Sequence, residues 1–234
     1  MISIIIPAYN EESLIAATLR AVRDSADAAG EAYEIIVADD GSTDRTAEIA
    51  RAEGAHVVSV HVRQIAAARN AGARAAKGDL LVFVDADTLV SPAVLQGAIR
   101  AVRAGAVGGG SAAQTDSNDP RWGPPLMVFA SWLMRTLGWA AGCFVFVRTD
   151  VFQRVGGFDE LYFASEEIHL SRAVKKHGRF VMLREAVITS GRKGRLFTPW
   201  QMFWQFASAL RPSTLKRRDR LDLWYGGRRE KDGK

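Results

Sequence analysis

Apolar runs alternate with helical patterns along the first half of the chain. Ile2–Ile6 is wholly apolar and ends at Pro7, which is typical of a buried parallel strand. The same pattern predicts further strands over residues 34–38, 57–60 and 80–84. Predicted helices cover residues 11–29, 45–52, 64–76 and 92–104. Asn10 is expected to cap the first helix, with Glu11 and Glu12 in its first turn. Strands and helices that alternate in this way indicate a parallel sheet with right-handed crossovers.

The second half of the chain is less regular. Its pattern predicts an apolar helix over 126–137 and a strand near 144–147. Ser165 is expected to cap a helix over 166–177, which ends at Gly178. We see no internal repeat and no linker long enough to divide the chain.

The stretch Leu126–Val147 is long and apolar enough to raise the question of a membrane span. Arg135, Gly138 and Gly142 interrupt it, and Trp and small residues are mixed in. These interruptions favour a buried helix followed by a strand. We therefore predict no transmembrane segment.

Composition narrows the class of protein but names no activity. The chain has 234 residues, 48% of them apolar and 24% charged, as expected for one globular domain. Cys143 is the single cysteine, so an intrachain disulfide is impossible and a reducing compartment fits best. The first residues lack the basic region and cleavage site of a secretory signal. We expect a cytoplasmic protein, with a peripheral place on the inner face of the membrane as a further possibility.

Positive charge is concentrated at the end of the sequence. Residues 211–234 contain nine Lys and Arg against four Asp and Glu, which accounts for the whole net charge of +5. Such a tail binds anionic lipid, phosphate or nucleic acid, or is merely a solvated surface. No nucleic-acid recognition motif accompanies the charge, so we expect no nucleic-acid partner.

Polar and acidic residues follow three of the predicted strands. They lie in residues 7–11, 39–42 and 85–87, and in open α/β sheets ligands bind outside the carboxyl ends of the strands. Asp85 and Asp87 flank the small Ala86 directly after an apolar strand. Mg²⁺ or Mn²⁺ prefers oxygen ligands and binds diphosphate oxygens as well. Asp85-Ala86-Asp87 is therefore a candidate metal and diphosphate site.

Four segments resemble glycosyltransferase family 2, an inverting family with the GT-A fold. They are SIIIPAYNEE (3–12), EIIVADDGSTDRT (34–46), AAARNAGARAAKGDLLVFVDAD (66–87) and GCFVFVRTDVFQRVGGFDE (142–160). The resemblance implies an α/β, Rossmann-like single domain over 1–234, whose mostly parallel central sheet has helices on both faces. It implies a nucleotide-sugar-binding half (1–110), an acceptor-binding and catalytic half (111–195), and an aromatic and basic C-terminal arm (196–234).

The resemblance also assigns roles in binding a UDP-, GDP- or dTDP-sugar. It implies that the nucleoside pocket is lined by Pro7, Ala8, Tyr9 and Glu11, and that Asp39 meets the base with Asp40 nearby. Arg69 is expected at the donor phosphates or base, Asp85 at the ribose, and Asp87 at the Mg²⁺ or Mn²⁺ ion, with Asp85 as the second candidate ligand.

The expected general base lies at the start of the helix after Ser165. Family members usually have Glu-Asp there, whereas this chain has Glu166-Glu167, and His169 replaces a commonly acidic residue. Glu167 occupies the position of the base, and Glu166 is the alternative. A purely structural interpretation is also open, because acids stabilise the N-terminus of a helix.

A basic segment follows the last predicted strand. Arg192, Lys193 or Arg195 is a candidate to neutralise the departing diphosphate. Many family members have a metal-binding histidine near this point, and this chain has none. Beyond it, aromatic residues stand beside basic ones, and this arm either seats a lipid-linked acceptor at a membrane or closes over the crevice as a lid. The aromatic residues are Trp200, Phe203, Trp204, Phe206 and Trp224-Tyr225.

These features predict a metal-assisted inverting glycosyltransferase that transfers a sugar to a sugar or lipid-linked acceptor, in polysaccharide or glycolipid biosynthesis. Two alternatives remain at this point. A sugar nucleotidyltransferase has a related architecture, but the loop after the first strand lacks the Gly-rich, basic pattern usual in that class. A non-catalytic, membrane-associated binding module would keep the fold without the activity.

Overall fold

A computed structural model describes residues 1–116, 123–140, 142–196, 198, 200, 201, 215 and 221. The strands are β1 (Ile2–Ala8), β2 (Tyr33–Asp39), β3 (His56–Ser59), β4 (Leu80–Val84), β5 (Thr88–Leu89), β6 (Ala106–Thr115), β7 (Phe144–Arg148) and β8 (Arg179–Thr189). The helices are α1 (Ile15–Ala29), α2 (Thr46–Ala52), α3 (Ile65–Ala75), α4 (Pro92–Arg103), α5 (Gly123–Leu137), α6 (Thr149–Arg154), α7 (Glu166–Lys175) and α8 (Arg192–Leu196).

The described strands form one sheet in the order β3-β2-β1-β4-β7-β6-β8-β5. The pairs β3·β2, β2·β1, β1·β4 and β6·β8 are parallel, whereas β7 is antiparallel to both its neighbours and β5 is antiparallel to β8. The α/β class and the mostly parallel sheet are thus confirmed. The reversed direction of β7 was not predicted, because an apolar run such as Phe144–Val147 is buried equally well in either direction.

Helices cover both faces of the sheet, as predicted. Alternate residues of β1 belong to different cores, since successive side chains of a strand point to opposite faces. Ile4 and Ile6 pack in the core that contains α1 and α4, and Ile5 packs in the core that contains α3, α6 and α7. On the second face α3 lies so close to β1 that a Cβ added at Gly72 would be only 2.4 Å from Cγ2 of Ile5. Glycine at this position therefore permits the close packing.

Of the two predicted helix caps, Asn10 is wrong, whereas Ser165 lies at the N-cap of α7 as predicted but without the capping hydrogen bond. Helix α1 begins at Ile15, and Asn10 lies in the preceding loop with a left-handed backbone (φ 52°). There its Oδ1 accepts a hydrogen bond from the backbone N–H of Thr43 (2.8 Å), so its side chain joins two loops instead of capping a helix. Ser165 also has a left-handed backbone (φ 62°), and its side chain makes no capping hydrogen bond to α7.

The prediction that residues 126–137 form a buried helix is half right. They lie within α5, but Val128 and Trp132 are 66% and 58% exposed. The helix meets the sheet through one face, where Ser131 Oγ donates to the carbonyl of Ala113 in β6 (3.0 Å). Among the described residues, no helix is both long and apolar enough to cross a membrane. Of the aromatic arm, Phe203, Trp204, Phe206 and Trp224-Tyr225 lie outside the described residues.

Candidate active site

The carboxyl ends of β1, β2 and β4 lie side by side at one edge of the sheet. β1 stands between β2 and β4 and is parallel to both, and Ala8 at its end is in register with Asp39. The polar segments that follow these strands, residues 9–11, 39–42 and 85–87, therefore border one crevice. Parallel strand direction alone is enough to bring them together.

The adjacent acids Asp39 and Asp40 have different surroundings. Asp40 Oδ1 accepts the backbone N–H groups of Val62 and Arg63 (both 2.8 Å), and its Oδ2 accepts that of Gln64 (2.7 Å). Asp40 thus holds the loop that leads into α3. Asp39 is 6% exposed, and its buried Oδ1 has no hydrogen-bond donor among the described residues. A buried acceptor in this state costs about 1–3 kcal/mol, and a ligand N–H group would satisfy it.

The end of β1 and the loop after it form the wall beside Asp39. Pro7 is half-buried, and the carbonyl of Ala8 accepts the N–H of Asp40 (2.8 Å). The guanidinium of Arg63 lies 3.2 Å from the centre of the Tyr9 ring, so one face of that ring is covered by a cation.

Arg69 is the centre of a buried group of charges. Its guanidinium donates to Glu166 Oε1 (2.6 Å), to Asp85 Oδ1 (2.8 Å) and to the carbonyl of Gly142 (2.8 Å), and the side chain is 2% exposed. Burial opposes its charge, but Asp85, Glu166 and Glu167 outweigh this effect and raise the pKa of Arg69 above its ordinary value. The guanidinium of Arg69, which is expected at the donor phosphates or base, orients the carboxylates of Asp85 and Glu166.

The Asp85-Ala86-Asp87 segment is held by both halves of the fold. The carbonyl of Ala86 accepts the hydroxyl of Thr18 in α1 (2.9 Å), and the carbonyl of Asp87 accepts the N–H of Ser190 (3.1 Å). The side chain of Asp85 is 34% exposed and that of Asp87 is 15% exposed. Both carboxylates therefore keep some exposed surface while their backbone is fixed.

Arg192, at the start of α8, links two of the predicted donor-site residues. Its guanidinium donates to both carboxylate oxygens of Glu11 (2.8 and 2.9 Å) and lies 3.5 Å from Asp87 Oδ2. Glu11 is 8% exposed and is directed at Arg192. Near this position, Arg195 lies 3.6 Å from Asp116, and the side chain of Lys193 is outside the described residues.

The donor atoms around Asp87 fit a cation that is shared with a ligand. No group of three or more His, Cys, Asp or Glu side chains within the described ranges has the geometry of a metal site. Mg²⁺ is commonly held by one or two carboxylates together with substrate phosphates and water. Asp87 and Asp85 can supply the two carboxylates. A complete protein cage for the ion is not formed by these residues.

Glu166 and Glu167 open α7 at the opposite wall of the crevice. Glu166 is 4% exposed and is ion-paired to Arg69, whereas Glu167 is half-buried. A Cβ added at Gly142 would lie 3.4 Å from both Glu167 Oε1 and Arg69 Nη2, so this glycine adjoins both groups. Burial first, and then the charge of Glu166, raise the pKa of Glu167 to about 8. Glu167 therefore holds a proton more strongly than an ordinary glutamate does.

Some contacts around α7 were not anticipated from the sequence. The His169 ring stacks on Tyr162 with centroids 3.8 Å apart, which agrees with the packing role usual for such a histidine. In the C-terminal arm, Leu215 is buried beside Ala164, and its carbonyl accepts the N–H of Phe163 (2.8 Å). Leu215 thus packs on the loop that precedes Glu166. The residues around Ala164 and Leu215 show no sequence pattern that predicts a contact between such distant positions.

Comparisons with known proteins agree with this geometry. The model of the family described as glycosyl transferase family 2 matches residues 3–156. Over 107 residues the chain is 36% identical to validoxylamine A glucosyltransferase of Streptomyces hygroscopicus subsp. limoneus. This match covers 43% of this chain and 23% of that protein. Over 131 residues it is 34% identical to undecaprenyl-phosphate 4-deoxy-4-formamido-L-arabinose transferase of Pseudomonas aeruginosa (strain LESB58), covering 52% and 39%. The chain thus matches less than half the length of either relative.

Two solved structures are similar in fold. S. aureus TarS 1-349 in complex with UDP-GlcNAc has a TM-score of 0.62 at 20% identity, covering 81% of this chain and 58% of that one. The mannosyltransferase PcManGT from Pyrobaculum calidifontis, in complex with GDP-Man and Mn²⁺, has a TM-score of 0.66 at 18% identity, covering 92% and 62%. At these identities the likeness concerns the fold.

Proposed function

Because this chain belongs to glycosyl transferase family 2, we propose that it transfers a sugar from a nucleoside-diphosphate sugar to an acceptor hydroxyl, with inversion at the anomeric carbon. The observation that carries the proposal is the meeting of three groups at one sheet edge. They are the unsatisfied Asp39 acceptor, the Asp85 and Asp87 carboxylates, and the proton-binding Glu167.

The nucleotide half of the donor binds at the ends of β1 and β2. Asp39 Oδ1 accepts an N–H from the base, which fits the imide of uracil or thymine and the ring N–H of guanine. Pro7, Ala8 and the Tyr9 ring form the adjoining wall. UDP-GlcNAc in TarS and GDP-Man in PcManGT, bound by proteins of similar fold, support a donor of this class.

The ribose and diphosphate lie over Asp85-Ala86-Asp87. Asp85 accepts from the ribose hydroxyls, since its carboxylate is oriented by Arg69 and remains partly exposed. Asp87, with Asp85 as the second candidate, holds a Mg²⁺ or Mn²⁺ ion together with the diphosphate oxygens. When bound, that ion supplies positive charge to the leaving nucleoside diphosphate. The Mn²⁺ in the PcManGT complex supports a divalent cation in this position.

Arg192 is placed to add a second positive charge near the diphosphate. It is 9% exposed and 3.5 Å from Asp87, while its bidentate contact with Glu11 fixes its orientation. Guanidinium groups bind phosphate oxygens in a planar, two-pronged geometry. Glu11 then acts by positioning Arg192 and does not contact the nucleoside itself.

Glu167 takes the proton of the acceptor hydroxyl. That oxygen attacks the anomeric carbon from the face opposite the nucleoside diphosphate, the glycosidic bond forms as the bond to the diphosphate breaks, and Glu167 becomes protonated. A raised pKa makes Glu167 a stronger base than an ordinary carboxylate. Glu166, which is paired with Arg69, serves to hold the charge network in place and remains the alternative base.

The acceptor enters beside α7 and Leu215. A sugar or a lipid-linked hydroxyl is the expected class, and the undecaprenyl-phosphate transferase among the relatives supports a role in glycolipid or polysaccharide synthesis at the membrane periphery. The buried contact between Leu215 and Ala164 supports a role of Leu215 in holding the loop before Glu166.

The proposal is tested by incubating the purified protein with nucleotide sugars, Mn²⁺ and candidate acceptors, and measuring nucleoside diphosphate and glycosylated product. Glu167→Gln should bind donor normally and lose transfer by roughly 10²–10⁴-fold, the usual contribution of a general base. Glu185→Gln, which changes a partly exposed glutamate outside the crevice, is the matched control. Full transfer by Glu167→Gln would move the base elsewhere, and release of pyrophosphate from a nucleoside triphosphate would indicate a nucleotidyltransferase instead.

A further inference from the structure

Helix α5 carries exposed apolar side chains on the outer half of its circumference. Val128, Trp132, Leu133 and Leu137 are 66%, 58%, 38% and 42% exposed. At 100° per residue these four positions spread over about 180° of the helix circumference, with the exposed Thr136 among them. The opposite face, through Ser131, is seated on β6. Single exposed apolar residues are ordinary, but four on the same side of one helix mark an interaction surface.

Exposed cations surround the C-terminal end of this face. Arg135 donates to a carbonyl of β8 (2.8 Å), and Lys175 donates to the last carbonyl of α5 (2.9 Å). The Arg172 guanidinium lies 4.6 Å from the centre of a Trp139 ring. Lys176, the residue after α7, is exposed next to Lys175. Contacts of the folded chain therefore fix three of these four positive groups beside the apolar face.

Acidic groups do not compensate these cations. Within the described part of the chain, none of the four forms a salt bridge. The sequence has no Asp or Glu between Pro120 and Thr149. Since only carbonyl oxygens and a ring orient these groups, their positive field extends into solvent next to the apolar side chains.

We propose that α5 docks on the surface of a bilayer that contains anionic lipids, with Val128, Trp132, Leu133 and Leu137 in the headgroup region and the cations on the lipid phosphates. An apolar face that includes Trp and is bordered by Lys and Arg is the chemistry of an interfacial helix. A second copy of the same face fits less well, because residues 121–148 contain no Asp or Glu that could pair with these cations across the contact.

The position of α5 gives docking a consequence for the crevice. The helix follows β6 in the chain. The last residue of β6, Thr115, pairs with Thr189 of β8. Thr189 also pairs with Thr88, which directly follows the Asp85-Ala86-Asp87 segment. After α5 the chain returns to Gly142, which binds Arg69. Docking therefore holds the crevice near the bilayer surface. The proposal does not depend on transferase activity, because vesicle binding needs no turnover.

The test is co-sedimentation of the purified chain with phosphatidylcholine vesicles and with vesicles that contain about one-third phosphatidylglycerol. We expect binding to the anionic vesicles that weakens with salt. Trp132→Ser with Leu133→Ser should weaken it at least tenfold, whereas the exposed apolar control Val62→Ser should not. Lys175→Gln with Lys176→Gln should weaken it roughly fivefold per charge removed. The control Arg74→Gln with Lys77→Gln removes the same charge from the end of α3 and the loop after it, and should change it little.

Circular dichroism melting establishes that each variant is folded. Absence of wild-type binding to anionic vesicles, or undiminished binding by the folded Trp132→Ser, Leu133→Ser protein, would overturn the proposal. A wild-type dimer that this double variant converts to monomer, measured by light scattering, would assign the face to a second copy instead and would also overturn it.

Discussion

The raised pKa of Glu167 predicts the pH dependence of the transfer step. The group acts as a base only when ionised, and burial together with Glu166 raises its pKa to about 8, while Arg69 acts in the opposite direction. At pH 7 about one-tenth of the free protein is then in the active form, so kcat/KM, which reports ionisation of the free enzyme, should rise about tenfold between pH 7 and pH 9. An ordinary carboxylate would give a flat profile over this range.

Glu166→Gln separates the causes of the shift. It removes the negative neighbour but keeps a side chain that can bond Arg69, so the pKa of Glu167 should fall and the rise in kcat/KM should move to lower pH. The kcat/KM profile is measured from pH 5.5 to 9.5 with donor and acceptor below saturation. Glu185→Gln is the control for a lost glutamate charge. A wild-type profile that is flat from pH 5.5 upward would refute the assignment of Glu167 as a base with a raised pKa.

The remaining predictions concern stability and the donor site. Glu167 keeps its proton in the folded state at pH values where the unfolded chain has lost it. The free energy of unfolding should therefore fall as pH rises from about 4.5 to 8. Glu167→Gln should remove this loss, as measured by urea denaturation at pH 9. Arg69→Met should cost about 3–5 kcal/mol in urea denaturation, because buried Glu166 and half-buried Asp85 lose their partner. The same change at the exposed Arg74 should cost little. Arg192→Ala should strengthen binding of Mn²⁺ alone, because the cation next to Asp87 is gone, and it should weaken binding of the donor. Electron paramagnetic resonance measures the binding of Mn²⁺. Arg195→Ala, which leaves the contacts of Arg192 with Glu11 and Asp87 unchanged, is the control.

The parallel half of the sheet could be predicted because its signal is local. Each of the strands β1, β2 and β4 is an apolar run that ends in polar residues, so pattern alone finds the strand and the crevice at its end. Strand β6 gives no such signal, since it is built on Gly108-Gly109-Gly110. A Cβ added at Gly109 would lie 2.1 Å from the carbonyl of Val181, so the small residues are required by the neighbouring strand, which the sequence pattern does not reveal.

The identities of the site residues could be predicted better than their contacts. The distinction between Asp39 and Asp40 depends on three N–H groups that lie more than twenty residues further along the chain. Glu11 and Arg192 are 181 residues apart, and only the finished fold brings them together. The burial of Arg69 likewise follows from the close packing of α3 on β1. Such contacts are tertiary, so local propensity does not encode them.

The central claim is that this crevice binds a nucleotide sugar through Asp87, and thermal unfolding with a panel of UDP-, GDP- and dTDP-sugars, each with Mn²⁺, tests it most directly. A donor at a hundred times its Kd adds about 2.7 kcal/mol, which in a chain of this size corresponds to roughly 5–10 °C in Tm. We predict such a shift with the sugars of one nucleotide base, both for wild type and for the control Asp79→Asn. Asp79 is an exposed acid directly before β4, at the end of the strand away from Asp87. Asp87→Asn should show little or none. No shift with any donor, or an equal shift in Asp87→Asn, would contradict the account.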